Sequence, residues 1–173
     1  SSIDDIMSWY MQQNGLNETN FGYAYYNINS FELHSFNLDR YMVAGSMYKV
    51  PLCMVYQDML NNGEITLDTY VNGYSLSTAL MYTLVYSNND TADALIDYLR
   101  YKYNLSYGDY RILIARYSNI WWEDFPNSYL HANDISPRFM IGTLFYLYNH
   151  SSEYPIILEY MKQANPENYF KKN

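Results

Sequence analysis

Ser46 and Lys49 stand three residues apart in Ser46-Met47-Tyr48-Lys49, a spacing that puts a hydroxyl and an amine on one face of a helix. A neutral amine beside a serine can take its proton. A serine at a helix start also meets backbone N–H groups that have no intrahelical partner and favour a developing negative charge. These are the requirements of an acyl-transfer nucleophile. Spacing alone is a weak signal, because 15 serines and 5 lysines in 173 residues supply about 0.4 such pairs by chance. The surroundings strengthen it: Val43, Ala44 and Gly45 are small, and Val50, Leu52, Cys53, Met54 and Val55 follow with no polar face, the pattern of a buried helix. The competing explanation is an N-cap serine with a solvated lysine one turn on. Pro51 suits neither, since past the first turn proline removes a donor and crowds the preceding carbonyl. A distorted first turn is expected there.

The composition narrows the partners. Ten lysines and arginines against 18 acids give a net charge of −8, which argues against nucleic acid or an anionic membrane as the partner. The 23 tyrosines suit both core packing and a binding groove, because each buries a ring and keeps a polar tip. Cys53 is the single cysteine, so no internal disulfide and no cysteine metal site can form. His34, His131 and His150 lie far apart without ligand spacing, and no metal is expected on them. No apolar run reaches the roughly 18 residues that a membrane span needs, and Ser1-Ser2-Ile3-Asp4-Asp5 is not a signal peptide. The length suits one domain with a sizeable core, over residues 1–173.

The elements that must position Ser46 and Lys49 follow from periodicity and punctuation. Ser2 with Asp5 forms a partial capping box for a first helix with Ile3, Ile6, Met7 and Tyr10 as its apolar stripe, ended by Asn14-Gly15. Phe21 to Tyr26 and Phe31 to Asn37 read as a hairpin joined by Asn27-Ile28-Asn29-Ser30, the one clear sheet. The Ser46 helix stops at Asn61-Asn62-Gly63, and a loop runs to Ser75. Leu76, Ala79, Leu80, Thr83 and Leu84 mark one helix; Ala92, Leu95, Ile96 and Leu99 mark another with Asp90 as N-cap; Ser87-Asn88-Asn89 falls between them. Tyr110, Leu113, Ile114 and Tyr117 mark a short helix, followed by an aromatic loop from Ser118 to Asn133 of a length that is often functional. Ser136-Pro137 and Pro155 open two more helices. Asn165-Pro166-Glu167-Asn168-Tyr169 reads as a helix exit leading onward.

Taken together, these residues resemble the class A serine β-lactamases and the penicillin-binding DD-peptidases, whose motif set is S-x-x-K, S-D-N and K-T-G. Ser46 to Lys49 matches the first motif. Ser87-Asn88-Asn89 matches the second in S-x-N form; chance supplies about 1.6 such triplets, Ser35-Phe36-Asn37 being one, so its weight lies in its position between two helices. Trp122-Glu123-Asp124-Phe125-Pro126-Asn127 looks like the family's Ω-loop, with Asp134-Ile135-Ser136-Pro137 as its exit. A surface acid in an aromatic loop is the bland alternative for Glu123. No arginine stands just before Glu123 to pair with Asp134, so the loop is expected to be looser or differently braced.

The resemblance implies an α/β (α+β) fold of the β-lactamase/transpeptidase type, with an N-terminal helix and hairpin beside a helical lobe. It implies Ser46 as nucleophile, Lys49 as base, Ser87 as proton donor to the leaving nitrogen, Asn89 as a substrate-amide ligand, and Glu123 with Asn127 holding a deacylating water. The implied partner is a β-lactam or a peptidoglycan stem peptide, and the implied location is extracellular or in the cell envelope after signal removal. The spacer from Ser46 to Ser87 is shorter than the family's, which points to a trimmed lobe and a more open groove. No K-T-G, K-S-G or H-T-G triplet occurs, so the strands that complete the family's sheet are missing from these residues. A C-terminally incomplete domain, a second chain completing the sheet, and a degenerate module that binds peptidoglycan or a partner without catalysis all fit that absence. A cell-wall D-alanyl-D-alanine peptidase or transpeptidase is the alternative to a β-lactamase.

Overall fold

The computed structural model describes residues 2–164, and the expectation for 165–169 lies outside them. Helix α1 (Ile3–Gln13) starts at the Ser2–Asp5 capping box, with both reciprocal bonds made, and Asn14 closes it. Strands β1 (Tyr23–Asn27) and β2 (Glu32–Phe36) pair antiparallel from Tyr23 opposite Phe36 to Asn27 opposite Glu32. The Asn27 carboxamide accepts the Asn29 and Ser30 N–H groups and shapes the turn. The apolar stripe expected on α1 stays uncovered: Ile3 and Met7 are half-buried, while Ile6 and Tyr10 are exposed. The reason is that α1 rests on β2 of a two-stranded sheet, which is too narrow to cover it.

Two more small ladders join the hairpin. Strand β3 (Met42–Val43) pairs antiparallel with β6 (Asp134–Ile135), and β4 (Tyr70–Val71) pairs with β5 (Tyr74–Ser75) where a loop was expected. The first of these matters most, because it clips the exit of the aromatic loop onto the segment that leads into Ser46.

Helix α2 (Lys49–Asn61) is the axis of the molecule, with Lys49 to Gln57 and Met59 all buried. It packs against α3 (Leu76–Val85), α4 (Asn89–Tyr103), α5 (Tyr110–Ala115) and α7 (Pro155–Gln163). Its entrance is distorted, as Pro51 led us to expect: Lys49 N–H donates to the Ser46 carbonyl at 3.1 Å and Val50 N–H to Met47 at 3.4 Å, three-residue spacings that tighten the turn. Pro51 itself falls in the first turn of α2, where its missing donor would have had no partner in the helix.

Helix α4 is capped by Asn88, whose side chain accepts the Thr91 N–H at 2.9 Å, and not by Asp90. The chain is still extended at Asn88, so Asp90 falls inside the first turn, where its charge faces the positive end of the helix dipole. The Thr83 and Thr91 hydroxyls, 2.9 Å apart and buried, tie α3 to α4. The loop from Ser118 to Asn133 contains two 3-10 turns (Trp122–Asp124 and Asn127–Leu130) and is anchored by Phe125 and Tyr129. Their rings lie 4.4 Å apart and pack on Tyr41 and on Phe139 of α6 (Pro137–Asn149). At Gly142 the Cβ of any side chain would collide with the Ser118 carbonyl, so α6 presses directly on the start of the loop.

The far half of α2 is held by one carboxylate. Asp58 receives hydrogen bonds from the buried hydroxyls of Tyr117 and Tyr154 and from Arg116, joining α2 to the segments after α5 and before α7. Asp58→Ala leaves both tyrosine hydroxyls without an acceptor and should lower the unfolding free energy by about 2–5 kcal/mol, measured by urea denaturation. A loss under about 0.5 kcal/mol, the range of an ordinary surface change, would contradict this role.

Candidate active site

The approach to Ser46 is built on backbone. Ala44 N–H donates to the Asn133 carbonyl at 2.7 Å, and the Asn133 carboxamide donates to the Gly45 carbonyl at 3.3 Å. Gly45 has φ +58° with open space around its missing Cβ, so the left-handed backbone, not crowding, makes glycine the fitting residue. The Ser46 N–H has no acceptor among the described residues and is free to face an oxyanion.

Lys49 lies one turn on, with its Nζ 3.3 Å from Ser46 Oγ. It also donates to the Ser87 carbonyl at 2.8 Å, Ser87 Oγ at 3.0 Å and Asn89 Oδ1 at 2.7 Å, and Ser87 Oγ donates to Ser46 Oγ at 2.8 Å. The structure thus brings together Ser46, Lys49, Ser87 and Asn89, across 43 positions of sequence, into one hydrogen-bonded cluster. Ser87 has φ +53°, a conformation that costs a non-glycine residue about 1–2 kcal/mol. That backbone turns both its carbonyl and its hydroxyl onto the same amine.

Lys49 is fully buried, and no carboxylate pairs with it among the described residues. Burial disfavours the ammonium and brings its pKa below lysine's ordinary value near 10.5, against smaller opposing effects of Cys53 and Asp93. The hydrogen bonds then decide where a lone pair would point. The Ser87 carbonyl and Asn89 Oδ1 can only accept, so they consume two N–H groups of the amine. A neutral amine has no further hydrogen, and its lone pair is left for the two hydroxyls. Ser46 can pass its proton to it directly over 3.3 Å, or through Ser87 over successive distances of 2.8 and 3.0 Å.

Glu123 and Asn127 are placed differently. Both are exposed on the 3-10 turns of the aromatic loop, and neither makes a hydrogen bond to the four clustered residues. The loop is braced from below by a residue the motifs did not single out. Arg111 of α5, 2% exposed, donates to the Tyr129 carbonyl at 2.6 Å, to Asn133 Oδ1 at 3.4 Å and to the Asp134 carbonyl, and its guanidinium lies 4.3 Å from the Tyr129 ring centre. The Tyr129 hydroxyl returns a bond to the Arg111 carbonyl at 2.9 Å. This is the different bracing expected from the lack of an arginine before Glu123. Its one sequence signal is a lone cation in the otherwise apolar stripe of α5.

No protein-family model matches the chain, and no curated protein matches it. Among solved structures, a variant of the last common ancestor of Gram-negative bacteria class A β-lactamase superposes with a TM-score of 0.64 at 16% identity, over 85% of this chain and 65% of that one. The fold is a distant β-lactamase-like fold, and the chain spans about two thirds of the length of the structure it matches.

An NMR titration of the Lys49 ε-methylene should give a midpoint below 10.5. Between that midpoint and the unfolded value near 10.4 the unfolded chain binds more protons, so the Lys49 contribution to stability rises with pH across this window. Urea unfolding at several pH values should show that rise in the native chain and its loss in Lys49→Met; a midpoint at or above 10.5 contradicts the geometry.

Proposed function

We propose that the chain is an acyl-serine hydrolase of the β-lactamase type, acting on β-lactams. The observation that carries it is the buried, carboxylate-free Lys49 amine within reach of both the Ser46 and Ser87 hydroxyls. In this mechanism Lys49 takes the Ser46 proton, Ser46 Oγ bonds to the lactam carbonyl carbon, and the carbonyl electron pair moves to oxygen, facing the Ser46 N–H. Collapse of that intermediate breaks the C–N bond. The proton held by Lys49 passes through Ser87 to the leaving nitrogen and leaves a Ser46 ester, while Asn89 holds the substrate amide. Water activated by Glu123 with Asn127 then hydrolyses the ester. The site needs neither a metal nor an organic cofactor.

The strand that carries K-T-G in the resembled family would add the second oxyanion donor and a ligand for the substrate carboxylate. We include in the proposal that a further segment or a second chain supplies it. Without that donor, acylation should run on the order of 10²–10³-fold slower. A second reading, a D-alanyl-D-alanine peptidase or transpeptidase of the cell wall, draws on the exposed position of Glu123 without a hydrogen bond to the cluster, since an ester without a base-held water persists. Both readings place the chemistry outside the cytoplasm. Among the described residues no helix is long and apolar enough to cross a membrane.

Intact mass after incubation with a penicillin tests the proposal and separates the two readings. Acyl adduct or penicillin consumption is expected in the native chain and is lost in Ser46→Ala, while Lys49→Ala slows adduct formation by about 10²-fold or more. A hydrolase consumes the drug, and its Glu123→Ala variant accumulates the ester; a peptidase holds the ester already in the native chain. An undiminished adduct in Ser46→Ala removes the mechanism.

A further inference from the structure

The peptide that joins Gly45 to Ser46 carries the backbone donor that acyl transfer at Ser46 would use for its oxyanion. Its two polar groups are rigidly linked. In a trans peptide the carbonyl and the N–H lie in one plane and point in opposite directions, so whatever holds the Gly45 carbonyl also aims the Ser46 N–H.

Little within the chain itself holds this peptide. Gly45 has φ +58° and open space where a Cβ would stand, and glycine populates both signs of φ about equally, so no steric wall keeps the peptide from turning over. Such a turn would exchange the directions of the carbonyl and the N–H. The ladder of α2 does not reach it either, because that helix begins at Lys49. Among the described residues the peptide has a single hydrogen bond, the one the Asn133 carboxamide donates to the Gly45 carbonyl at 3.3 Å.

Asn133 is itself oriented from two sides. Its main-chain carbonyl accepts the Ala44 N–H at 2.7 Å, and the β3–β6 ladder continues beside it with Val43 opposite Asp134. Its Oδ1 accepts from Arg111, which is buried and fixed on the Tyr129 carbonyl at 2.6 Å. A guanidinium can only donate and a main-chain carbonyl can only accept, so both ends of the carboxamide require the same orientation, oxygen to Arg111 and nitrogen to Gly45. Asn133 makes no hydrogen bond to Ser46, Lys49, Ser87 or Asn89. We propose that Asn133 is a positioning residue for acyl transfer: by holding the Gly45 carbonyl it keeps the Ser46 N–H turned toward the oxyanion, with Arg111 setting the carboxamide. This role rests on Ser46 being the acyl nucleophile.

The test is the kinetics of the full chain with benzylpenicillin, read as drug loss and intact-mass adduct, in Asn133→Asp and Asn133→Ala. Asn133→Asp keeps an oxygen for Arg111 and puts a carboxylate oxygen in place of the Gly45 donor, while Asn133→Ala removes both contacts and adds no charge. In both variants kcat should fall about tenfold or more, a part of the roughly 10²–10³-fold that a whole oxyanion donor supplies, with KM within about twofold of native. Asn133 is exposed, so both variants should keep the native near-ultraviolet circular dichroism. Undiminished kcat in Asn133→Ala overturns the proposal and leaves acyl transfer at Ser46 standing. A raised KM at native kcat overturns it by making Asn133 a substrate ligand, and a fall confined to Asn133→Asp does so by tracing the effect to the added charge. Loss of kcat in proportion to lost native dichroism overturns it as a folding effect. A native chain that neither forms adduct nor consumes the drug removes the acyl-serine reading itself, and the positioning role with it.

Discussion

A lysine amine held in a dry interior without a carboxylate is the constraint on which this structure turns. Lys49 cannot reach water, so its hydrogens must be received by groups the fold delivers, and they come from the joint between α3 and α4, about 40 residues downstream. That requirement fixes α2 against the two helices and places the joint opposite the Ser46 turn. A nearby carboxylate would have made the same burial easier and would have held the amine charged. Its absence is what separates a structural lysine from a basic one.

The support around this centre is mostly aromatic and mostly indirect. Phe125, Tyr129, Tyr41 and Phe139 interlock under the loop, and Arg111 secures the loop's return through main-chain carbonyls. The return then touches the turn before Ser46 through Asn133. Arg111 is thus linked through Asn133, by two successive hydrogen bonds, to Gly45, the residue before Ser46. The far half of α2 is fastened separately, by Asp58 and its tyrosines.

How much of this was legible in the sequence depended on whether a contact is written in side-chain type. Ser46 and Lys49 could be paired from spacing because one helical turn joins them, and the buried character of α2 followed from its apolar run. Ser87 and Asn89 had no local signal that tied them to Lys49; the motif resemblance alone put them together. Arg111 was missed because carbonyl acceptors look the same at every residue, and the Asp90 cap was misplaced by two positions because Asn88, extended after the left-handed Ser87, takes the Thr91 N–H and starts α4 two residues earlier. The N-terminal helix was found but its covering was not, since a stripe says which face is apolar and not whether anything lies on it.

The left-handed joint at Ser87 also makes the spacing of two helices part of the proposed proton path. Its carbonyl and hydroxyl are carried on the same peptide corner, and the Thr83–Thr91 bond locks that corner's flanks together. A displacement of α3 against α4 by a few tenths of an ångström would lengthen the route from Ser46 to Lys49 without touching either residue. The packing of the helical lobe therefore sets the gearing of the site, and residues with no chemistry of their own hold its timing.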